Sequence, residues 1–183
     1  MNPTLTPLEG TSRHHTASST VCLRAMEPED LELLYQVEND QSLWDKGVTN
    51  VPYSHFLLRE FIANSTGDIY TDKQVRLMIS TPDTTVGIAD LINFDPSHQR
   101  AEVGIVVLAQ YRRQGFALEA LRQLALYARQ TLHLHQLYAY VDMQNDSSLN
   151  LFKKAGFHHT CTLQDWLFDG KNHHDAAFLQ LFL

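Results

Sequence analysis

The chain has 183 residues, 44% of them hydrophobic and 19% charged, which suits one domain with a full core and is too short for two comfortable ones. Its 21 carboxylates against 14 Lys and Arg leave a formal charge of -7, which weighs against a nucleic-acid partner, because such partners need a broad basic footprint. No run approaches the roughly 18 consecutive apolar residues of a membrane span, so no membrane partner is expected. Residues 1–15 also lack the basic start and apolar centre of a secretory leader, so the expected compartment is the cytoplasm. Cys22 and Cys161 are too few for a disulfide framework and read as free thiols.

Residues 1–19 are polar and aperiodic and read as a flexible tail before a single domain at 20–183. Val21–Ala25 reads as a strand. A helix follows with Pro28 in its first turn and Leu31, Leu34, Tyr35 and Glu38 on the helical period. Residues 27–45 hold Glu27, Glu29, Asp30, Glu32, Glu38, Asp40 and Asp45 without one Lys or Arg. This is either a solvated acidic face or a surface that concentrates a cation. Ser54 is set to cap a second helix to Ala63, with an apolar stripe of Phe56, Leu57, Phe61 and Ile62; TGDIYTDKQ then reads as a loop. Strands are expected at 75–79, 86–94 and 101–108, joined by the turns STPDTT and DPSHQR as antiparallel hairpins. Leu118–Thr131 is the clearest helix, with Leu121, Leu124, Ala125 and Ala128 on one face. A strand at 137–141, a short helix at Ser147–Ala155 and closing strands at 157–162, 166–168 and 176–183 complete the chain. The order implies a mixed α/β sheet with helices on its faces and a right-handed, parallel crossover from 101–108 to 137–141.

Between the strand VGIVVL and that long helix stands AQYRRQGFALEA. Gly115 permits a positive φ or a close approach of backbone to ligand, and Ala117 is small where the helix begins. Arg112, Arg113 and Gln114 add donors beside the unpaired amides of the first helical turn, which makes a site for an anion such as a diphosphate. An ordinary strand-to-helix turn with a solvent-facing basic pair has the same composition. Neither a dinucleotide fingerprint nor a Walker loop is present.

The run VLAQYRRQGFA (107–117) resembles the acyl-CoA signature R/Q-x-x-G-x-G/A of the Gcn5-related N-acetyltransferase (GNAT) superfamily, with Arg112, Gly115 and Ala117 at its fixed positions. VDMQNDSSLNLFKKAGF (141–157) is similar to the family's strand, Asn and short helix ending in K-x-G-F, through Asn145, Lys154, Gly156 and Phe157. The similarity covers about residues 21–183 and leans toward the branch of spermidine/diamine and ribosomal-protein N-terminal acetyltransferases. It implies an acetyl-CoA cosubstrate and a mixed, mostly antiparallel sheet. It also implies a pantetheine arm along Ile105–Leu108, so through Val106, Val107 and Leu108, with the pyrophosphate on the amides of Arg113, Gln114, Gly115, Phe116 and Ala117. Asn145 would lie near the cofactor arm, or it is the turn residue leading into a helix capped by Asp146 or Ser147. Lys154 would reach a phosphate, or it covers the helix surface. The resemblance further implies a homodimer or larger homo-oligomer.

Acetyl transfer to an amine needs an acceptor for the amine proton and a proton for the departing thiolate. Glu102 is the candidate base; the polyamine-like branch carries a glutamate in a matching A-E-hydrophobic run. An outward-facing strand residue is the alternative. Where relatives place a proton-donating tyrosine, this chain has Phe152, which shapes the pocket but gives up no proton. Ser148, a water or no dedicated acid remain, with Tyr111 and Tyr140 poorer on spacing. The histidine pairs 14–15, 158–159 and 173–174 read as surface residues and no metal is expected, since strand neighbours point to opposite faces. Trp44, Trp166 and Phe168 line either an acceptor pocket or a core or subunit contact. The leading expectation is acetylation of a primary amine, on a small di- or polyamine or on a protein N-terminus; a non-catalytic acyl-CoA-binding module is the alternative from another class.

Overall fold

The structure, a computed structural model, describes residues 21–44, 51–65 and 67–183. The tail at 1–19, the pair His14-His15, Asp45 and the side chain of Trp44 lie outside the described residues.

Strands β1 (Cys22–Ala25), β2 (Val75–Ser80), β3 (Thr85–Asp95), β4 (Arg100–Val107), β5 (Gln136–Asp142), β6 (His158–Phe168) and β7 (His173–Phe182) form one seven-stranded sheet. Its order is β1-β2-β3-β4-β5-β7-β6. Every neighbouring pair is antiparallel except β4 with β5. Helices α1 (Leu31–Glu38), α2 (Gln41–Trp44), α3 (His55–Asn64), α4 (Ile69–Asp72), α5 (Phe116–Gln130) and α6 (Asp146–Lys154) connect them. This is the mixed α/β sheet expected from the order of elements. Among the described residues no helix is long and apolar enough to cross a membrane. Cys22 and Cys161 are free and exposed on β1 and β6, the two outer strands of the sheet.

Strand alternation sorts the core into two layers. Ala101 and Val103 of β4, with Leu137, Ala139 and Val141 of β5, pack against Leu121, Leu124 and Ala128 of α5 and Phe152 of α6. On the opposite face Met78 and Ile88 meet Leu34 and Val37 of α1 and Leu58 of α3. Residues such as Leu34, Met78, Leu91 and Leu124 are fully buried, each contributing about 1.5–3 kcal/mol by leaving water.

Several local expectations change. The stripe on α3 is half the expected one: Phe61 and Ile62 pack on the core, joined by buried Leu58, while Phe56 and Leu57 of the first turn are exposed. Residues 58, 61 and 62 are the ones spaced to meet one neighbour. Part of TGDIYTDKQ is helical, because Asp68 caps the Tyr70 amide and Ile69 is buried. The strands expected at 157–162 and 166–168 are one strand, β6, which begins at His158 and whose register shifts carry it through the interval between them.

Two members of the acidic run, Asp30 and Glu38, are taken up by arginines, while Glu27, Glu29, Glu32 and Asp40 are exposed. Arg24 holds buried Asp30 by two bonds of 2.6 and 2.7 Å, and Asp30 also accepts from the Glu27 amide at 2.8 Å. Arg76 on β2 bonds Glu38 of α1 at 2.5 Å and both carboxylate oxygens of Asp90 on β3. Burial opposes the Arg76 charge, but Asp90 and Glu38 outweigh it and hold the guanidinium above its ordinary value.

Gly87 marks a close approach of β3 to the end of β4. A Cβ there would lie 2.2 Å from the Val106 carbonyl oxygen and 3.0 Å from Val107 Cα, both backbone atoms. Gly87→Ala is expected to cost on the order of 1–3 kcal/mol, read as a lowered Tm.

Candidate active site

The parallel seam between β4 and β5 is short. It pairs Arg100 with Gln136, Ala101 with Leu137 and Glu102 with Tyr138, and then the strands diverge. On the other side β4 stays paired to β3 as far as Val107 with Gly87. The Leu108 amide donates to Val86 O at 3.0 Å, so the antiparallel parity directs the backbone groups of Glu102, Gly104, Val106 and Leu108 toward β3. Those of Ile105 and Val107 face the gap. Val106 and Leu108 contribute side chains to the α1/α3 layer instead.

Helices α5 and α6 start where the diverging strands end, so both N-termini flank the mouth of the fork. Gly115 is the N-cap residue of α5 at φ 90°, ψ -9°, and Arg113 also has positive φ (64°). No side chain caps the first turn of α5. Left-handed residues on either side of Gln114, ahead of uncapped helical amides, make a concave anion-binding surface. Arg112 and Gln114 brace this turn: Arg112 Nε donates to Val107 O at 2.9 Å and Gln114 Nε2 to Gln110 O at 3.1 Å. Phe116 is buried edge-on to Tyr111, anchoring the helix start in the core.

On α6 the Asn145 Oδ1 accepts from the Ser148 amide at 3.1 Å, so Asn145 itself, not Asp146 or Ser147, is the helix cap. Ser148 lies one turn before Phe152 on the same helix face and is half-buried. Phe152 is only 3% exposed. The helix ends at Gly156 (φ 97°), with Phe157 N–H donating to Phe152 O at 3.0 Å and Gly156 N–H to Lys153 O at 3.1 Å. This Schellman ending brings Phe157 against Phe152, edge to face at 4.9 Å. Phe152 is therefore a core residue, and Lys154 is exposed in the last turn. Phe152→Tyr is expected to lower Tm, since an unpartnered buried hydroxyl costs about 1–3 kcal/mol, while changing kcat less than tenfold. Melting and CoA-release rates measured together check both parts.

Glu102 lies at the last paired position of the seam, on the sheet face opposite α5. Its Oε2 accepts from Asn93 Nδ2 at 2.8 Å. Burial pushes the carboxyl above the usual carboxylate range, and the Asn93 amide pulls back against it. Tyr138 and Tyr140 share this face; burial raises both phenols, and the Glu102 charge raises them further. Phe178 packs within 5.7 Å of Tyr138 and 5.3 Å of Tyr140, and Trp166 stacks on Tyr140 at 5.9 Å. Phe168 instead lies against His173 at 4.9 Å.

Asn93 escaped the sequence reading. A bulge between Ile92 and Asp95 puts Asn93 at φ 50°. The one local signal was an Asn near a strand end, a residue that tolerates the left-handed region. The half-buried Glu38–Arg76–Asp90 set escaped as well, because its members are distant in sequence. Of the histidines, His174 bonds Asp169 at 2.9 Å and His159 contacts Cys161 O at 2.9 Å. Among the described residues no three His, Cys, Asp or Glu side chains are grouped to hold a metal ion.

A family model described as acetyltransferase (GNAT) domain matches residues 20–158. The spermidine N(1)-acetyltransferase of Escherichia coli strain K12 is 26% identical over 141 residues, covering 77% of this chain and 74% of that protein. The protein of the same name from Vibrio cholerae is 25% identical over 141 residues, 76% of this chain and 80% of its own. A crystal structure of the Vibrio cholerae spermidine N-acetyltransferase in complex with CoA and spermine superposes with a TM-score of 0.80 at 23% identity, over 90% of this chain and 96% of that one.

Proposed function

The chain belongs to the acetyltransferase (GNAT) domain family, and from that premise we propose that it moves the acetyl group of acetyl-CoA to a primary amine of a small di- or polyamine. One observation carries the reading. The sheet opens immediately after Glu102, so an unpaired strand edge, an anion-binding turn and a partly buried carboxylate converge on one fork.

In this reading the amides from Arg113 to Ala117 hold the pyrophosphate, with Arg112 and Gln114 bracing the turn rather than reaching for it. The Ile105 backbone and the Val107 amide pair with the pantetheine arm as a missing strand would, the Val107 carbonyl being held by Arg112. Glu102 takes a proton from the ammonium group, freeing the nitrogen lone pair. The C–N bond then forms and the C–S bond breaks with its electron pair on sulfur. Of the two protons left on nitrogen one stays in the amide, and the other ends on the thiolate, through Ser148 or water, or in solvent. Tyr138, Tyr140, Phe178 and Trp166 wall the acceptor side, where aromatic faces favour a cation and its methylene chain. The names of the relatives support a polyamine acceptor. The acidic run lends less support than its composition suggests, since Asp30 and Glu38 are engaged by arginines.

A CoA-release screen over diamines, polyamines, aminoglycosides, amino acids and N-terminal peptides tests the proposal. Turnover with diamines or polyamines is expected. A response to peptides alone would move the acceptor to protein N-termini, and amine-independent hydrolysis would leave an acyl-CoA-binding module. A cytoplasmic homodimer or larger homo-oligomer belongs to the same proposal, with the subunit number checked by light scattering.

A further inference from the structure

We propose that Asn93 is a positioning residue for the transfer: turned over the sheet by the β3 bulge, its amide holds Oε2 of Glu102 and leaves Oε1 to receive the amine proton. The inference rests on the reading of Glu102 as the base.

The bulge is what makes the contact. In an unbroken β3, alternation from Leu91, which is buried in the α5 layer, would send residue 93 to that layer as well. Instead Ile92 pairs with Glu102 and Asp95 with Arg100, so two residues of β3 stand opposite Ala101 alone. Phe94 takes the place in the α5 layer, and Asn93, at φ 50°, comes over the Glu102 carboxylate at 2.8 Å. Asparagine is among the few side chains that enter this region readily, so the bulge can hold it there.

The neighbours leave this task to Asn93. On β4 itself, Arg100 bonds Asp95 at 3.2 Å. Across β2, β3 and α1, Arg76 is engaged by Asp90 and Glu38. From β5 Tyr138 and Tyr140 face Glu102, and from β6 Cys161 lies next to Tyr140. Among the described residues, Asn93 is the hydrogen-bond donor recorded on the Glu102 side chain. It stabilises the charged form that burial disfavours, and it fixes which oxygen is left for the substrate.

The test is the pH profile of kcat/KM with acetyl-CoA and spermidine for the wild type, Asn93→Gly, Asn93→Asp and Glu102→Gln. Glycine keeps the left-handed backbone and removes the amide; aspartate keeps the size and replaces the donor with a like charge. The acidic limb is expected to move up by about one pH unit in Asn93→Gly, a tenfold loss below the limb, and further in Asn93→Asp, with KM for acetyl-CoA unchanged. In a Glu102→Gln background the glycine variant should add nothing. Limbs unmoved in both Asn93 variants, while Glu102→Gln is impaired, would overturn the role of Asn93 and spare the base. A Glu102→Gln profile overlaying the wild type would overturn the base and this inference with it. Tm measured beside each profile separates a lost fold from a shifted limb.

Discussion

Gly115→Val is expected to weaken CoA binding tenfold or more while leaving a folded protein, with isothermal titration and a melting curve as the paired measurements. The reason is backbone conformation rather than crowding. A Cβ at position 115 would meet nothing within 4 Å, yet the residue sits at φ 90°, where a side chain is strained and a β-branched one most of all. Valine would relieve that strain by rotating the peptide, on the order of 1–2 kcal/mol, and the amides entering α5 would turn with it. A tenfold loss corresponds to about 1.4 kcal/mol, so the strain alone is of sufficient size. Gly115→Asn should lose less, because Asn tolerates the left-handed region. Undiminished affinity in a folded valine variant would remove the anion site from this turn.

Glu102→Gln is expected to lower kcat/KM at neutral pH by about 10²–10⁴-fold, the contribution of a positioned general base, with CoA affinity nearly unchanged. The amide keeps the shape and still accepts from Asn93, so only basicity is lost. Burial holds the Glu102 carboxyl above the usual carboxylate range. As pH falls through that raised value the wild type should lose activity as the base protonates; the variant has no such limb. As pH rises toward about 10, where an amine like that of lysine deprotonates in water, the deficit should close. A constant deficit at every pH would assign Glu102 to binding instead of proton transfer.

The parts of the fold legible in the sequence were those fixed by local chemistry. Strands 75–79, 86–94 and 101–108 declared themselves by apolar runs between polar turns, and α5 by Leu121, Leu124 and Ala128 on one face. The site was legible where one residue type has one physical use, as with Gly115 in the left-handed region. It was not legible where the outcome depends on a partner strand. Alternation alone left the face of Glu102 open, because the layer was unknown until Ala101 and Val103 were seen against α5. The bulge at Asn93 exists only in relation to β4, and the one in β6 only in relation to β7. Phe152 is the instructive case. Gly156 followed by Phe157 was a readable helix-ending signal, and it implied that residue 152 would close against 157 in the core.

The brevity of the β4–β5 seam reaches beyond the chemistry. Three residue pairs and the bonds of His135 and Gln136 to Gln99 O stitch the half-sheet β1–β4 to the half-sheet β5–β7–β6, with the α5 layer packed across both. A molecule built this way carries an internal sheet edge, and edges invite strands from other chains. On the proposed reading, a cosubstrate laid along this edge would brace the fold as well as react. By mass action, a ligand at a hundred times its dissociation constant adds about 2.7 kcal/mol to the folded state. The stability of the fold would then follow the supply of the cosubstrate.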